Sequence, residues 1–258
     1  MTGARELFDL SGKTAIVTGG GSGLGRQMAE GLAELGANLV LCARKADRCE
    51  QAAAELAGLG VKAIGMSCDV RDPAEVQAVV ERARADVGEI DVLVNSAGTV
   101  WGAATEEMPL EGWQKVIDVN LTGTFLFAQA AGRAMIERGA GGKIVNIASV
   151  AGLRGAPSEI MNSVPYNASK GGVIAFTRDL AWKWARHGIN VNAIAPGWFP
   201  SEMSSFVLEK HGDKLAQHIP LGRFGGPSDL KGAVVYLASA ASDYVTGHTL
   251  VVDGGESA

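Results

Sequence analysis

Apolar runs of strand length alternate with helical patterns along almost the whole chain, and few folds accept that order. Thr14-Ala15-Ile16-Val17 comes first, followed by a glycine cluster and then Met28, Leu32 and Leu35 at helical spacing. Leu39-Val40-Leu41-Cys42 precedes a helical stretch at about Asp47–Leu56, and Val61 to Met66 reads as a weaker strand. Pro73 opens a helix carrying Val76, Val79 and Val80, since proline suits a first helical turn. Asp91–Val94, a long helix over roughly Trp113–Glu137, Lys143–Ile147, a helix from Tyr166, Asn190–Ile194 and Thr249–Val252 continue the series. Strands apolar at consecutive positions are buried on both faces. The pattern therefore predicts an α/β fold, a doubly wound parallel β-sheet of Rossmann type with helices on both faces, as a single domain over residues 1–258. No linker and no repeat of solenoid period interrupts it.

The remaining composition narrows the class. The 35 glycines fall at element ends rather than in low-complexity runs, so they mark tight turns and close backbone approaches. A formal charge of −5 with no basic stripe argues against nucleic acid. No apolar run has the length of a membrane span, and the N-terminus lacks a signal-peptide pattern. Three cysteines (Cys42, Cys49, Cys68) without a C-x-x-C suit a reducing cytoplasm. The four histidines (His187, His211, His218, His248) lack zinc-ligand spacing, which leaves surface or helix-end roles and no expected metal.

Two local patterns carry chemistry. Thr18-Gly19-Gly20-Gly21-Ser22-Gly23-Leu24-Gly25 lies between the first strand and first helix. Its spacing is T-G-x-x-x-G-x-G rather than the strict dinucleotide G-x-G-x-x-G. Glycines there let the backbone approach a pyrophosphate, and the helix N-terminus adds free N–H groups and a positive dipole end. Such a turn alone also serves other nucleotides or tight packing. The second pattern is Tyr166-Asn167-Ala168-Ser169-Lys170 downstream of Ser149. Residues four apart share a helix face. An ammonium beside a phenol is expected to lower the phenol pKa, fitting Tyr166 for proton transfer to or from an alkoxide. A lone Y-x-x-x-K is more often an ordinary amphipathic helix.

Taken together, Thr18-Gly19…Gly23-Leu24-Gly25, Asn95-Ser96-Ala97-Gly98, Asn120, Ser149, Tyr166…Lys170 and Pro196-Gly197 occur in the order and at the intervals of the short-chain dehydrogenase/reductases. The chain resembles their compact single-domain branch from Leu7 to Gly255 and is similar to its 3-oxoacyl-carrier reductase and gluconate-dehydrogenase-like members. The resemblance implies that Tyr166 is the acid/base, that Ser149 holds the substrate oxygen, and that Lys170 lowers the Tyr pKa and holds the nicotinamide ribose. It implies that Asn120 fixes a relay water, that Asn95, Ala97 and Gly98 steady the sheet and pass beside the cofactor, and that Pro196, Gly197 and Ser201 contact the carboxamide. Asp69, before Val70, meets the adenine amino group or caps the helix at Pro73; both roles are compatible. Ser96 departs from the family's usual second Asn. Ser22 belongs to the phosphate turn.

Cofactor choice is read after the second strand, where an acidic side chain binds the NAD ribose and an arginine accommodates the NADP phosphate. Here Ala43 stands where NAD-type relatives carry Asp, and Arg44 follows. Arginine matches phosphate geometry, so NADP(H) is expected, with NAD(H) second. A solvated basic loop is the plainer reading of the same residues.

For the substrate, Ser149 and Tyr166 stand 17 positions apart, a few more than the family commonly has. The extra residues, within Gly155–Pro165, are expected to hang over the pocket, stiffened by Pro157 and Pro165. Trp198-Phe199-Pro200, Met203, Phe206 and Leu208 fall in the family's lid, and Trp101 is a third candidate wall. These aromatics favour a 3-oxoacyl or other apolar ketone, with a sugar acid of gluconate type as the alternative. Arg178 and Lys183 are too isolated to form an acyl-carrier patch. Trp113, Trp182 and Trp184 are expected in the core or at a subunit contact. Apolar residues around the helices from Trp113 (Ala128, Ala131, Gly132) and Tyr166 (Ala175, Phe176, Trp182), with the family's habit, imply a homotetramer. The expected activity is hydride transfer between a nicotinamide and a small ketone or secondary alcohol. A non-catalytic cofactor-binding scaffold is the alternative of another class, against which the intact Ser149, Tyr166 and Lys170 stand.

Overall fold

In the computed structural model, which describes residues 3–258, seven strands form one parallel sheet in the order β3-β2-β1-β4-β5-β6-β7. They are β1 (Thr14–Thr18), β2 (Asn38–Ala43), β3 (Ala63–Ser67), β4 (Ile90–Asn95), β5 (Gly142–Ile147), β6 (Ile189–Pro196) and β7 (Thr249–Val252). Eight helices alternate with them: α1 (Gly23–Glu34), α2 (Ala46–Ala57), α3 (Pro73–Asp86), α4 (Leu110–Ile117), α5 (Gly123–Arg138), α6 (Val164–Trp184), α7 (Ser205–His218) and α8 (Lys231–Ala238). The fold class read from the sequence is the one observed.

Alternation within strands divides the interior. In β1, Ala15 and Val17 join a core with Met28 and Leu32 of α1 and Val234 of α8. Ile16 between them points to the other face, where Phe127 and Met135 of α5 and Val79 of α3 pack. The strand is buried on both sides, as its unbroken apolar run requires. β3 is a half-exposed edge strand and starts at Ala63, two residues later than its apolar run suggests.

Three boundaries differ from expectation for physical reasons. The long helix predicted from Trp113 starts at Leu110 and is α4 and α5 joined by a π-helical turn, Asp118–Thr122, with Asn120 fully buried in it. Single π turns of this kind collect at functional sites. α6 begins at Val164, so Pro165 sits in its first turn rather than in the preceding loop. The cap of α3 is Asp72, whose carboxylate accepts from the N–H groups of Ala74 (2.8 Å) and Glu75 (3.3 Å), so Asp69 is released from that role. α7 and α8 have no counterpart in the sequence reading.

The strand order reverses between β1 and β4. In open α/β sheets the carboxyl ends of strands at such a point form the ligand crevice, and a cleft of about 1060 Å³ opens there. Among the described residues no helix is long and apolar enough to cross a membrane.

Candidate active site

One end of the cleft is a turn of backbone. Gly19 leaves β1 with φ +67°, and a Cβ there would lie 3.1 Å from the Ala97 backbone. Gly25 in α1 has no room at all: a Cβ would stand 2.4 Å from the Gly19 carbonyl oxygen. The helix start is thereby pressed onto the turn, and Ser22, the residue before it, makes no side-chain cap. First-turn N–H groups are left for an anion. Thr18 is buried and works indirectly; its Oγ1 accepts from the N–H groups of Ser96 (3.0 Å) and Ala97 (2.9 Å), pinning the end of β1 to that of β4.

Further along, Arg44, Asp69, Val70, Ala97 and Gly98 line the same cleft. The Asp69 carboxylate is occupied by Arg71, whose Nη2 donates at 2.6 Å and whose guanidinium holds the carboxyl down at about 2. Asn95 does not reach the cleft lining. It is buried at the end of β4, and its Nδ2 donates to Asn146 Oδ1 at 2.9 Å. Asn146 in turn donates to Thr177 Oγ1 at 3.0 Å, so this is a polar strut through the core rather than a cofactor contact.

The reacting groups gather where β5 ends and α6 begins. Ser149, the residue before a short 3₁₀ turn, accepts from Ala151 N–H at 3.1 Å. Its hydroxyl also faces the Tyr166 phenol, which it biases toward the phenolate; burial outweighs this and raises the phenol pKa. Lys170, one helical turn on, is 5% exposed. Its Nζ donates to the Ile147 carbonyl at 2.7 Å and lies 5.7 Å from the Tyr166 ring centroid. Burial lowers its pKa to about 8. For the phenol, burial is the dominant influence and the Ser149 hydroxyl opposes it.

Asn120 lies behind this group rather than in the cleft lining. Its Oδ1 accepts from Thr99 N–H (2.8 Å), and its Nδ2 donates to Thr99 O (3.0 Å) and Ser169 Oγ (3.0 Å). A Cβ on Gly98 would meet Asn120 Oδ1 at 3.5 Å and Lys170 Nζ at 3.8 Å, which shows how closely the motifs converge.

The other end of the cleft is lined by the long loop and by the stretch after β6, including Met203 and Phe206, and the remaining aromatics divide between lining and core. Trp198 lines the cleft. Phe199 borders it yet is 4% exposed and packed on Gly225, so it is floor. Trp101 is absent from the lining: its ring fills the space over Gly112, 2.8 Å from where a Cβ would be, under Lys115 Nζ. The loop is tied back by Ser163 Oγ donating to Trp101 O (2.8 Å) and by Ala103 N–H donating to Asn162 O (2.9 Å). Ser201 of the lid stretch sits above the phosphate turn, its Cβ 3.9 Å from a Cβ built on Gly23. Pro196 and Gly197 line the cleft beside it. Residues that sequence reasoning missed are Arg48, paired with Glu202 across the mouth at 2.8 Å, Lys210 and His211 on α7, and Arg154 and Glu256. None lies in a local motif.

A phosphate turn, a phenol–hydroxyl–lysine group and a cleft at the sheet's switch point define a nucleotide-dependent oxidoreductase site. The chain belongs to the short-chain dehydrogenase/reductase family. Residues 19–257 match a family model described as Enoyl-(Acyl carrier protein) reductase. The chain is 41% identical over 254 residues to 2-dehydro-3-deoxy-D-gluconate 5-dehydrogenase of Escherichia coli (strain K12), covering 97% of each protein. A short-chain type dehydrogenase/reductase from Mycobacterium marinum superposes with a TM-score of 0.94 at 41% identity and 99% coverage of both chains. A gluconate 5-dehydrogenase from Burkholderia cenocepacia J2315, in complex with NADP and tartrate, gives a TM-score of 0.92 at 40% identity and 98% coverage of both.

Proposed function

We propose that the protein is an NADP(H)-dependent dehydrogenase/reductase acting on a small hydroxylated ketone or secondary alcohol. The observation that carries this is the convergence of Ser149, Tyr166 and Lys170 at one end of a cleft whose other end is the glycine turn. The residues fit the coenzyme: the turn Gly19–Gly25 would take the pyrophosphate, Arg44 the 2′-phosphate, Asp69 and Val70 the adenine, Lys170 the ribose, and Pro196, Gly197 and Ser201 the nicotinamide end. When bound, the nicotinamide supplies or accepts the hydride.

The chain's own residues handle the oxygen. Ser149 donates to the substrate oxygen while its own oxygen accepts from Ala151 N–H. Tyr166, protonated at neutral pH, gives its phenolic proton to that oxygen in reduction; in oxidation it first loses that proton to solvent and then takes the alcohol's. Lys170 and the Ile147 carbonyl fix the groove beside the phenol. Asn120 acts as a positioning residue, holding Thr99 and Ser169 in register with Tyr166, whose carbonyl accepts from Ser169 Oγ at 2.7 Å. Its share in a proton relay runs through that framework.

A hydroxylated substrate is favoured over the apolar ketone because Arg154, Lys210 and Glu256 line the cleft beside the apolar Trp198, Met203 and Phe206, and Trp101 is withdrawn from it. The similarity to sugar-acid dehydrogenases points the same way. We also propose a homotetramer, supported by Phe125 (42% exposed) and Trp182 (88% exposed) on α5 and α6. A cytoplasmic location fits the three free, buried thiols. The test is NADPH and NADH binding to the purified protein, then coenzyme oxidation with ketoses, keto-sugar acids and 3-oxo esters. Turnover of hydroxylated ketones with NADPH supports the reading; absence of binding to both coenzymes overturns it.

A further inference from the structure

We propose that Glu256 and Arg154 form the wall that selects the substrate, and that they take a hydroxyl-bearing tail of a neutral ketose or polyol in preference to a carboxylate. This rests on the reductase reading above. The wall is assembled from three distant stretches, all lining the cleft. Arg154 opens the long loop between Ser149 and α6, Trp198 follows β6, and Glu256 follows β7.

Glu256 Oε1 accepts from Arg154 Nη2 and from Trp198 Nε1, the latter at 3.2 Å. The Glu256 side chain is only 10% exposed, and its other oxygen, Oε2, is buried with no hydrogen-bond partner. It lies over Gly197, 3.3 Å from where a Cβ would stand. A carboxylate with one oxygen bare is costly to bury, and a pair whose arginine is half-exposed returns little, so stability does not account for the arrangement.

Its donor and acceptor balance accounts for it better. The bare oxygen is an acceptor, and only a donor satisfies it. A hydroxyl donates and accepts at once. Among the described residues, Nε and Nη1 of Arg154 make no hydrogen bond, so donors stand ready beside the acceptor. The terminal torsion of a glutamate is soft, so a part turn of the carboxylate swings the oxygen over Gly197 toward the cleft without moving the chain. A substrate carboxylate brings no donor for Oε2. It also adds negative charge beside Glu256 and Asp253, both of which already draw on Arg154. Lys210 and His211 of α7 line the cleft too, and a carboxylate held by them is the competing outcome.

The experiment compares kcat/KM, with NADPH, for a neutral ketose and a keto-sugar acid of equal chain length. Wild type is expected to favour the ketose. Glu256→Gln should raise KM for the ketose and move the ketose-to-acid ratio toward the acid by about 10- to 100-fold, the worth of a hydrogen bond to a charged group. Trp198→Phe, which removes the N–H fixing Glu256 together with part of the ring, should move the ratio the same way by less, and serves if Glu256→Gln does not fold. A structural role alone lowers both substrates together; an unmoved ratio overturns the proposal. So does a wild-type preference for the acid that Arg154→Gln erases. Turnover of neither substrate overturns the reductase reading itself, a result distinct from turnover with an unmoved ratio.

Discussion

At the coenzyme end of the cleft the surface is backbone: Gly19, Gly25 and the open start of α1, held in place by Thr18 reaching across to Ser96 and Ala97. At the substrate end the surface is side chains on loops, with Trp198, Arg154 and Glu256 brought together from positions far apart in the chain. A backbone cradle recognises what is constant in a ligand and tolerates little change in itself. A side-chain wall on loops is free to vary while the scaffold stays, which is where specificity is expected to lie. Tyr166 and Lys170, on the rigid start of α6, mark the boundary between the two.

The largest test of that division is at the boundary. Tyr166→Phe removes the transferable proton and leaves both ends of the cleft intact. Turnover should fall by about 10²- to 10⁴-fold, the usual worth of a general acid. Titration of coenzyme fluorescence should show NADPH affinity little changed. Coenzyme affinity collapsing together with turnover would mean that the phenol belongs to the coenzyme end.

Arg44→Asp comes next and probes the one place where the coenzyme end uses a side chain to choose. Replacing the guanidinium by a carboxylate should weaken NADPH by about 10- to 100-fold and strengthen NADH. NADPH use as good as wild type would leave Arg44 a solvated loop residue.

The contrast also explains what could be read beforehand. Strand periodicity, the glycine turn and the Tyr166–Lys170 spacing are local patterns, so their placement in the fold and cleft followed from short stretches of sequence. The π turn at Asn120 was not legible, because no local pattern distinguishes it from the helix on either side; what accompanies it is tertiary, the Asn120 bonds to Thr99 and Ser169. Trp101 looked like a cleft wall from its neighbours in sequence, but the socket over Gly112, which closes only in the folded chain, takes its ring. Asn95 sits in a recognisable motif, yet the direction of its side chain is set by its partner Asn146 on β5. Glu256 and Arg154 lie 102 positions apart, and nothing near either one announces the other.

A smaller effect sharpens the account of the backbone cradle. Gly25→Val drives a branched side chain into the Gly19 carbonyl, 2.4 Å from the first atom added. The start of α1 must draw back from the turn. Overpacking of this kind costs roughly 1–3 kcal/mol of stability, and a comparable loss at the phosphate turn would weaken NADPH about ten-fold. Denaturant midpoints and coenzyme titration read the two losses separately. A variant that loses stability yet binds NADPH normally would show that the turn needs only its own glycines, not the pressure of the helix.

The least effect, and the most local, concerns the ionisation of Lys170. Burial holds its folded pKa near about 8, against an ordinary 10.5. Between those values the unfolded chain binds the proton that the folded chain has released, so stability rises with pH across the window and is lost as pH falls through about 8. Other buried groups work against it at the alkaline end, among them Cys42, whose thiol is pushed up by its contact with Cys68 and by burial. Tyr166, with a raised pKa, contributes stability below pH 10.0 that is lost as pH climbs through its folded value. Cys49, pushed up to about 11 by burial, contributes stability below 9.0 that is lost as pH climbs through 11. The difference between wild type and Lys170→Met removes these opposing contributions. Urea midpoints from pH 7.5 upward should therefore show the wild type gaining on the variant through pH 8 to 10. Parallel curves would mean that the ammonium at the centre of the cleft is hydrated in the free protein, and that the site becomes dry only when ligands close it.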